Sequence, residues 1–377
     1  MKKELTLWQA SCTITGFGVG GGIMAMPYLT AQNGIAVAFI ILIIALAFSL
    51  AMHFFVADLV LRGKGAQIGT VVSDILFRGK SKKYLTLALF ILVGVVLLTT
   101  MAAYITGGGD ILAEYLKIPP FVGNLIFYVA AASVVLFGLK SVGVSEGIAV
   151  TVMLVLIAAL MIASFFNIKN PLPYESGGIT DALGYFGMAM FCFTAFFAVP
   201  QAVTGLNFNV KKIKKAIIIG YINILVLILV VTLCSLVVSK EVTEVAMLGW
   251  SAGIGTWAQI TGSGFIFLAL LTTYWSVSLA LADMAKEQLK LSKRVCWLIA
   301  TIPTLAITLI QSAGFIDLMQ IAGGAAAIIL AFLVIPAVRK ASKDEPSLIL
   351  GKLNRLPIQI AVFEAYLLMA IGNLLAV

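Results

Sequence analysis

The chain has 377 residues, of which 62% are apolar and 11% charged, with a formal net charge of +9. Soluble domains carry about 25% charged residues, and a mean hydropathy of +1.11 leaves too little polar surface for a water-soluble fold. The composition therefore places the chain in a bilayer, and the basic charge reads as contact with anionic lipid rather than nucleic-acid binding.

Lys2 and Lys3 precede an apolar run, as in a signal peptide. Glycine and proline interrupt that run, however, and no small-residue cleavage pattern precedes a soluble domain, so a retained first helix is expected. A window of about 20 residues predicts eleven spans. They fall near 7–30, 35–61, 84–106, 120–139, 145–168, 181–205, 213–238, 262–286, 295–312, 315–338 and 357–376. With the N-terminus in the cytoplasm, all of the 25 basic residues except Lys117, Lys169 and Lys240 fall in inside segments. That asymmetry fits the positive-inside rule and puts the C-terminus outside a plasma membrane. The chain reads as one transmembrane domain.

Between spans 2 and 3, Ile68, Val71, Val72, Ile75 and Leu76 recur at helical spacing, which predicts an amphipathic helix at the cytoplasmic face. The segment 241–259 predicts an outside loop helix, a lid or simple packing. The cysteines (Cys12, Cys192, Cys234, Cys296) match neither a disulfide framework nor a metal site.

Two spans are interrupted. Span 1 reads TITGFGVGGGIMAMPY from Thr13 to Tyr28, with glycine at 16, 18, 20, 21 and 22. Span 6 reads GYFGMAMFCFTAFFAVPQAVTG from Gly184 to Gly205, with Pro200 in its second half. Glycine weakens a helix by about 1 kcal/mol and proline by about 3. Unpaired backbone at mid-membrane is tolerable only where it lines a cavity or a solute. Glycines also serve close helix packing, and Pro200 alone can kink a helix. Spans 1 and 6 nevertheless open two units of five helices, about 7–168 and 181–338, with the last span, about 357–376, outside both. Five is odd, so the second unit enters from the opposite face and the repeat is inverted, and paired interruptions then point to a midplane site.

The segments GGGIMAMPYLTAQNG (20–34), AYITGGGDIL (span 3), FCFTAFFAVPQ (span 6) and GGAAAIILAFLVIPAV (span 10) resemble the amino acid/auxin permease family, part of the amino acid-polyamine-organocation superfamily. Bacterial aromatic and hydroxy amino acid permeases are close to the same pattern. The resemblance implies an all-α LeuT-type fold of 5+5 helices with broken helices 1 and 6, and alternating access around spans 1, 3, 6, 8 and 10. The chain departs from the pattern with Gly20–Gly21–Gly22 where a small polar residue often sits.

An amino acid carboxylate suits the amides and positive dipole of a half-helix N-terminus, for which Gly20, Gly21, Gly22 and Ile23 are the candidates. Its ammonium suits carbonyls freed by the breaks, at Thr15, Gly16 and Gly18 and from Phe191 to Thr194. The side-chain pocket is expected from Phe193, Phe196, Ala103 and Tyr104. The centres of spans 1, 3 and 6 carry no charge, which favours a small neutral amino acid. Adjacent hydroxyls on span 8 opposite span 1 commonly bind sodium in the resembled fold. Thr272 and Thr273, with Thr15 and Gly18, are the ion candidates, although hydroxyls in membrane helices also bond back to their own backbone. Some proton-coupled relatives carry a lysine on span 5. None stands here, which favours Na+ over H+ as the coupling ion. No other cofactor is expected.

His53, the only histidine, reads as a proton relay or a packed side chain. Glu364 is the deepest acid, and a local hydrogen bond or interface suits it. An ion-coupled symporter is the leading reading, and a transporter-like nutrient sensor of the germinant-receptor kind is the alternative. An intramembrane enzyme would need a convergent nucleophile–base or metal set, which the sequence lacks.

Overall fold

The computed structural model describes residues 5–242, 246–310 and 315–375. In chain order the helices are α1 (Leu7–Gly18), α2 (Gly22–Asn33), α3 (Ile35–Arg62), α4 (Ile68–Leu76) and α5 (Lys82–Leu116). Next come α6 (Pro120–Leu136), α7 (Leu139–Phe165), α8 (Ile179–Cys192), α9 (Val199–Gly205) and α10 (Val210–Val238). The chain ends with α11 (Ala246–Ile254), α12 (Thr256–Leu289), α13 (Lys293–Ile310), α14 (Phe315–Asp344) and α15 (Leu356–Leu375).

Each expected span coincides with a helix or a broken pair. Among the described residues eight helices are long and apolar enough to cross a membrane, or nine if α1 and α2 form one span. Helix α6 is apolar but shorter, at 17 residues. Several helices are longer than the expected spans: α5 continues past residue 106 to Leu116, α7 begins at Leu139 rather than 145, α12 at Thr256 rather than 262, and α14 runs past 338 to Asp344. Polar first and last turns sit outside the apolar window yet keep their backbone hydrogen bonds, so the helix outlasts the hydrophobic signal.

Local chemistry sets several boundaries. Thr6 opens α1 with a capping box: its hydroxyl accepts the Gln9 amide at 3.2 Å, and the Gln9 side chain accepts the Thr6 amide at 2.9 Å. The amphipathic segment forms α4, which buries Ile68, Val71 and Val72. The Glu287 carboxylate on α12 reaches its entry, accepting the Gln67 amide at 3.0 Å and the Thr70 hydroxyl at 2.6 Å. The loop helix α11 packs against its neighbours α10 and α12. Trp250 is fully buried and donates its indole N–H to Ser164 Oγ on α7 at 2.8 Å.

Helices α1 and α12 run through the centre, and α12 is buried over most of its length. Helix α15 packs against α8, where a Cβ on Gly372 would stand 2.2 Å from the Leu183 carbonyl oxygen. Only glycine permits that approach, the small-residue contact expected where lipid offers no hydrophobic drive.

Candidate functional site

Both interrupted spans are broken. Helix α1 stops at Gly18, and α2 starts at Gly22 after a bend of 59°. Helix α8 stops at Cys192, a single 3-10 turn covers Phe196–Ala198, and α9 follows. Pro200 therefore does not kink a continuous helix. It lies in the first turn of α9, where its missing N–H costs nothing.

The two breaks meet. A Cβ on Gly18 would lie 3.2 Å from the Cys192 carbonyl oxygen, and one on Gly22 would lie 3.0 Å from Cys192 Sγ and from the Phe191 ring. A cavity opens at this junction. The first break lines it with Phe17, Gly18, Gly20 and Gly22, and the second with Phe191, Cys192, Thr194, Phe196 and Phe197. Helix α5 adds Val96, Leu97, Thr100 and Tyr104, and α12 adds Val277. No residue of this lining is charged. The amides that open α2 point from a helix start, whose first N–H groups lack an intrahelical acceptor.

Of the residues expected at the site, Gly18, Gly20, Gly22, Tyr104, Phe191, Thr194 and Phe196 line the cavity. Thr15, Gly16, Gly21, Ile23, Ala103 and Phe193 are not part of its lining. The Thr15 carbonyl accepts the Val19 amide at 2.8 Å, and its hydroxyl donates to the Ser11 carbonyl at 3.0 Å. Phe193 is fully buried and stacks on Tyr221 at 5.6 Å. Ile23 and Ala103 are fully buried as well. The Ala103 side chain, one residue before the lining Tyr104, is turned from the cavity because a helix turns about 100° per residue. Leu97 and Thr100 were legible in principle, since they share a helix face with Tyr104 at spacings of three and four. Val277 likewise stands one turn from Thr273.

The second break is held by two side chains from neighbouring spans. His53 Nε2 accepts the Ala195 amide at 3.0 Å, and the Tyr221 hydroxyl donates to the Phe193 carbonyl at 2.7 Å. An accepting Nε2 requires the proton on Nδ1, which faces the Ser49 carbonyl at 2.8 Å and touches the Tyr221 hydroxyl. His53 is thus the fixed neutral partner of an unwound backbone. Nothing in its local sequence announces this role.

Behind the first break lies a cluster of oxygens. Thr273 Oγ1 is 2.8 Å from the Gly16 carbonyl oxygen, 3.3 Å from that of Val19 and 2.9 Å from that of Ala269. Thr272 Oγ1 is 3.0 Å from the Ala269 oxygen and 3.5 Å from that of Gly16. The carbonyls of the first span that these hydroxyls meet are those of Gly16 and Val19, one residue beyond the expected Thr15 and Gly18. Three carbonyls, two from the first break and one from α12, converge with two hydroxyls. One hydroxyl has one proton and cannot satisfy three carbonyls. The five oxygens are neutral, a donor set suited to a monovalent hard cation. Among the described residues no group of three or more His, Cys, Asp or Glu could hold a metal ion.

Two broken helices that meet at an uncharged cavity inside a helical membrane bundle define a transporter of the LeuT fold. The comparisons agree. Over the whole chain the structure matches MhsT in complex with L-phenylalanine, with a TM-score of 0.69 at 14% identity and full coverage of that chain. It also matches the nucleobase-cation-symport-1 family transporter Mhp1, closed with bromovinylhydantoin bound, at TM-score 0.68 and 11% identity, covering 100% of this chain and 91% of that one. A manganese transporter of Eremococcus coleocola, in complex with an aromatic bis-isothiourea substituted compound, aligns at TM-score 0.64 and 16% identity, covering 97% of this chain and 85% of that one. In sequence, the tyrosine-specific transport system 1 of Haemophilus influenzae is 27% identical over 375 residues, covering 89% of this chain and 88% of that protein. The tryptophan/tyrosine permease family model matches residues 3–351, and the chain belongs to that family.

Proposed function

We propose that the protein is a secondary active symporter that moves a neutral aromatic amino acid, tyrosine or tryptophan, by alternating access with sodium as the coupling ion. The observation that carries this reading is the uncharged, ring-rich cavity at the junction of the two breaks. The amides opening α2 at Gly21, Gly22 and Ile23 take the substrate carboxylate, aided by the helix dipole. The Cys192 carbonyl, which faces Gly18 across the junction, takes the ammonium together with the Gly18 carbonyl at the end of α1. Phe17, Phe191, Phe196 and Phe197 offer ring faces and edges to an aromatic side chain. Tyr104, Thr100 and Thr194 bring hydroxyls to the lining that can meet a phenol or an indole N–H. A charged side chain would find no counter-charge there and pay its full desolvation.

Sodium fits the five oxygens of Gly16, Val19, Ala269, Thr272 and Thr273. Two of them belong to the broken first span and three to α12, so bound sodium would brace the backbone that also holds the substrate. The relative from Haemophilus is a tyrosine system by name, which supports the aromatic cargo. The N-terminus is assigned to the cytoplasm on the distribution of basic residues.

The test is uptake of labelled tyrosine into proteoliposomes under an inward sodium gradient, an inward proton gradient and neither. Competition by tryptophan, phenylalanine, lysine and glutamate reports the pocket. Sodium-driven accumulation blocked by aromatic but not charged amino acids is expected. Binding without accumulation would replace the symporter by a sensor, and accumulation driven by protons alone would remove sodium.

A further inference from the structure

Glu146 stands in the second turn of α7 with no solvent contact. Its Oε1 accepts a hydrogen bond from the Ser276 hydroxyl on α12, while its Oε2 has no partner among the described residues. The Thr13 side chain of α1 lies beside it. Gln201 of α9 donates to the Ser276 carbonyl at 2.8 Å, and its own side-chain oxygen is also buried and unpartnered. Among the described residues, these two oxygens therefore have no hydrogen-bond partner, and no basic side chain pairs with Glu146.

The surrounding groups limit what can titrate here. Cys12 of α1 is the titratable side chain in electrostatic reach. Helices α9 and α11 carry no titratable group, and Lys140 at the start of α7 is exposed. On α10, Lys211, Lys212 and Lys215 are exposed and Lys214 is half-buried, Tyr221 bonds Phe193, and Cys234 lies several turns away. Tyr128 of α6 reaches Thr301, and Tyr274 of α12 reaches Thr304. Asp283, Lys286 and Glu287 of α12 begin about two turns beyond Ser276. A carboxylate left in this setting without a positive charge is expensive.

Thr13 and Ser276 precede and follow Gly16 and Thr273 by three residues, so the carboxyl stands about one helical turn, on the order of 5–6 Å, from the oxygen cluster. We propose that Glu146 is a proton-binding site in exchange with a cation in that cluster. Its carboxyl is protonated while the cluster lacks a cation and releases the proton when sodium binds, so that sodium entry and proton release are linked. The inference rests on the sodium reading of the cluster. At about 6 Å and an effective dielectric of about 20, the Coulomb coupling corresponds to about two pH units, or about 100-fold in apparent sodium affinity.

Sodium binding to the purified full-length protein, followed by radioactive sodium between about pH 5 and pH 9, tests this. The wild type is expected to lose up to about 100-fold in affinity towards acid. Glu146→Gln should bind with little pH dependence, while Glu146→Asp and Cys12→Ala retain it. Weakly buffered protein should also release protons on sodium addition, a readout that needs no variant. A pH-independent wild type, an unchanged profile in Glu146→Gln, a profile abolished by Cys12→Ala, or the absence of proton release would overturn the proposal and leave the sodium site standing. A wild type that binds no sodium at any pH would overturn both.

Discussion

The ring nitrogen Nε2 of His53, in the middle of α3, accepts the amide hydrogen of Ala195 in the second break at 3.0 Å. The same ring stacks on Phe196, with centroids 4.4 Å apart. A backbone donor that lipid cannot satisfy is thereby paired inside the protein, and the ring beside it faces the cavity. His53→Ala should leave the Ala195 amide buried and unpaired, at a cost of about 1–3 kcal/mol. The expected outcome is a lower melting temperature in detergent together with a loss of aromatic amino acid binding of about tenfold or more. Tyr221→Phe, which removes the bond to the Phe193 carbonyl, should have the same sign and a smaller size. Wild-type binding in His53→Ala would show that the break holds its shape without this bond.

Gly22 allows the two breaks to touch. An alanine there would bring its methyl to 3.0 Å from Cys192 Sγ and the Phe191 ring, an overpacking of the kind that costs about 1–3 kcal/mol. Gly22→Ala should therefore abolish most uptake. Gly94→Ala on α5, whose Cβ would meet Leu281 at an ordinary 3.8 Å, should leave uptake near wild type. Equal activity of the two variants would contradict the junction.

Thr273→Ala removes the oxygen shared by three carbonyls. Apparent sodium affinity should fall by about tenfold or more, whereas Thr273→Ser should keep most of it, because serine restores the oxygen without the methyl. A sodium titration of tyrosine uptake measures both. Retained affinity in Thr273→Ala would place the cation elsewhere.

Asp58 and Arg62 tie the end of α3 to the segment after α14. Arg62 Nε donates to Asp58 at 2.7 Å, and the Arg62 guanidinium also donates to the Ala341 and Glu345 carbonyls at 3.2 and 3.0 Å. The Ser347 hydroxyl donates to the other Asp58 oxygen at 2.5 Å. Arg62→Met should strand a buried carboxylate and cost about 3 kcal/mol. A drop in melting temperature larger than that of Ser347→Ala is expected, and thermal unfolding in detergent compares them. Equal drops would mean that the ion pair adds nothing beyond the hydroxyl bond.

Span positions, both helix breaks and the absence of central charge were readable because each is local. Hydropathy sums over a window without regard to partners, and a run of glycines weakens a helix wherever it lies. Membership of a permease family was readable for the same reason, in short motifs around those breaks. The finer assignment at the first break was not. Thr15 and Gly18 were expected opposite Thr272 and Thr273, yet Gly16 and Val19 are there, because the rotation of α1 is set by packing against α10 and α12.

The amino-acid sequence alone determined that this chain lives in a bilayer, where its helices run and where two of them fail, since these follow from transfer free energies and backbone propensities residue by residue. Tertiary structure alone decided which carbonyls meet Thr273, which amide His53 receives and what surrounds Glu146. Those pairings join residues from about 130 to 260 positions apart, and only the relative rotation and depth of packed helices brings them together.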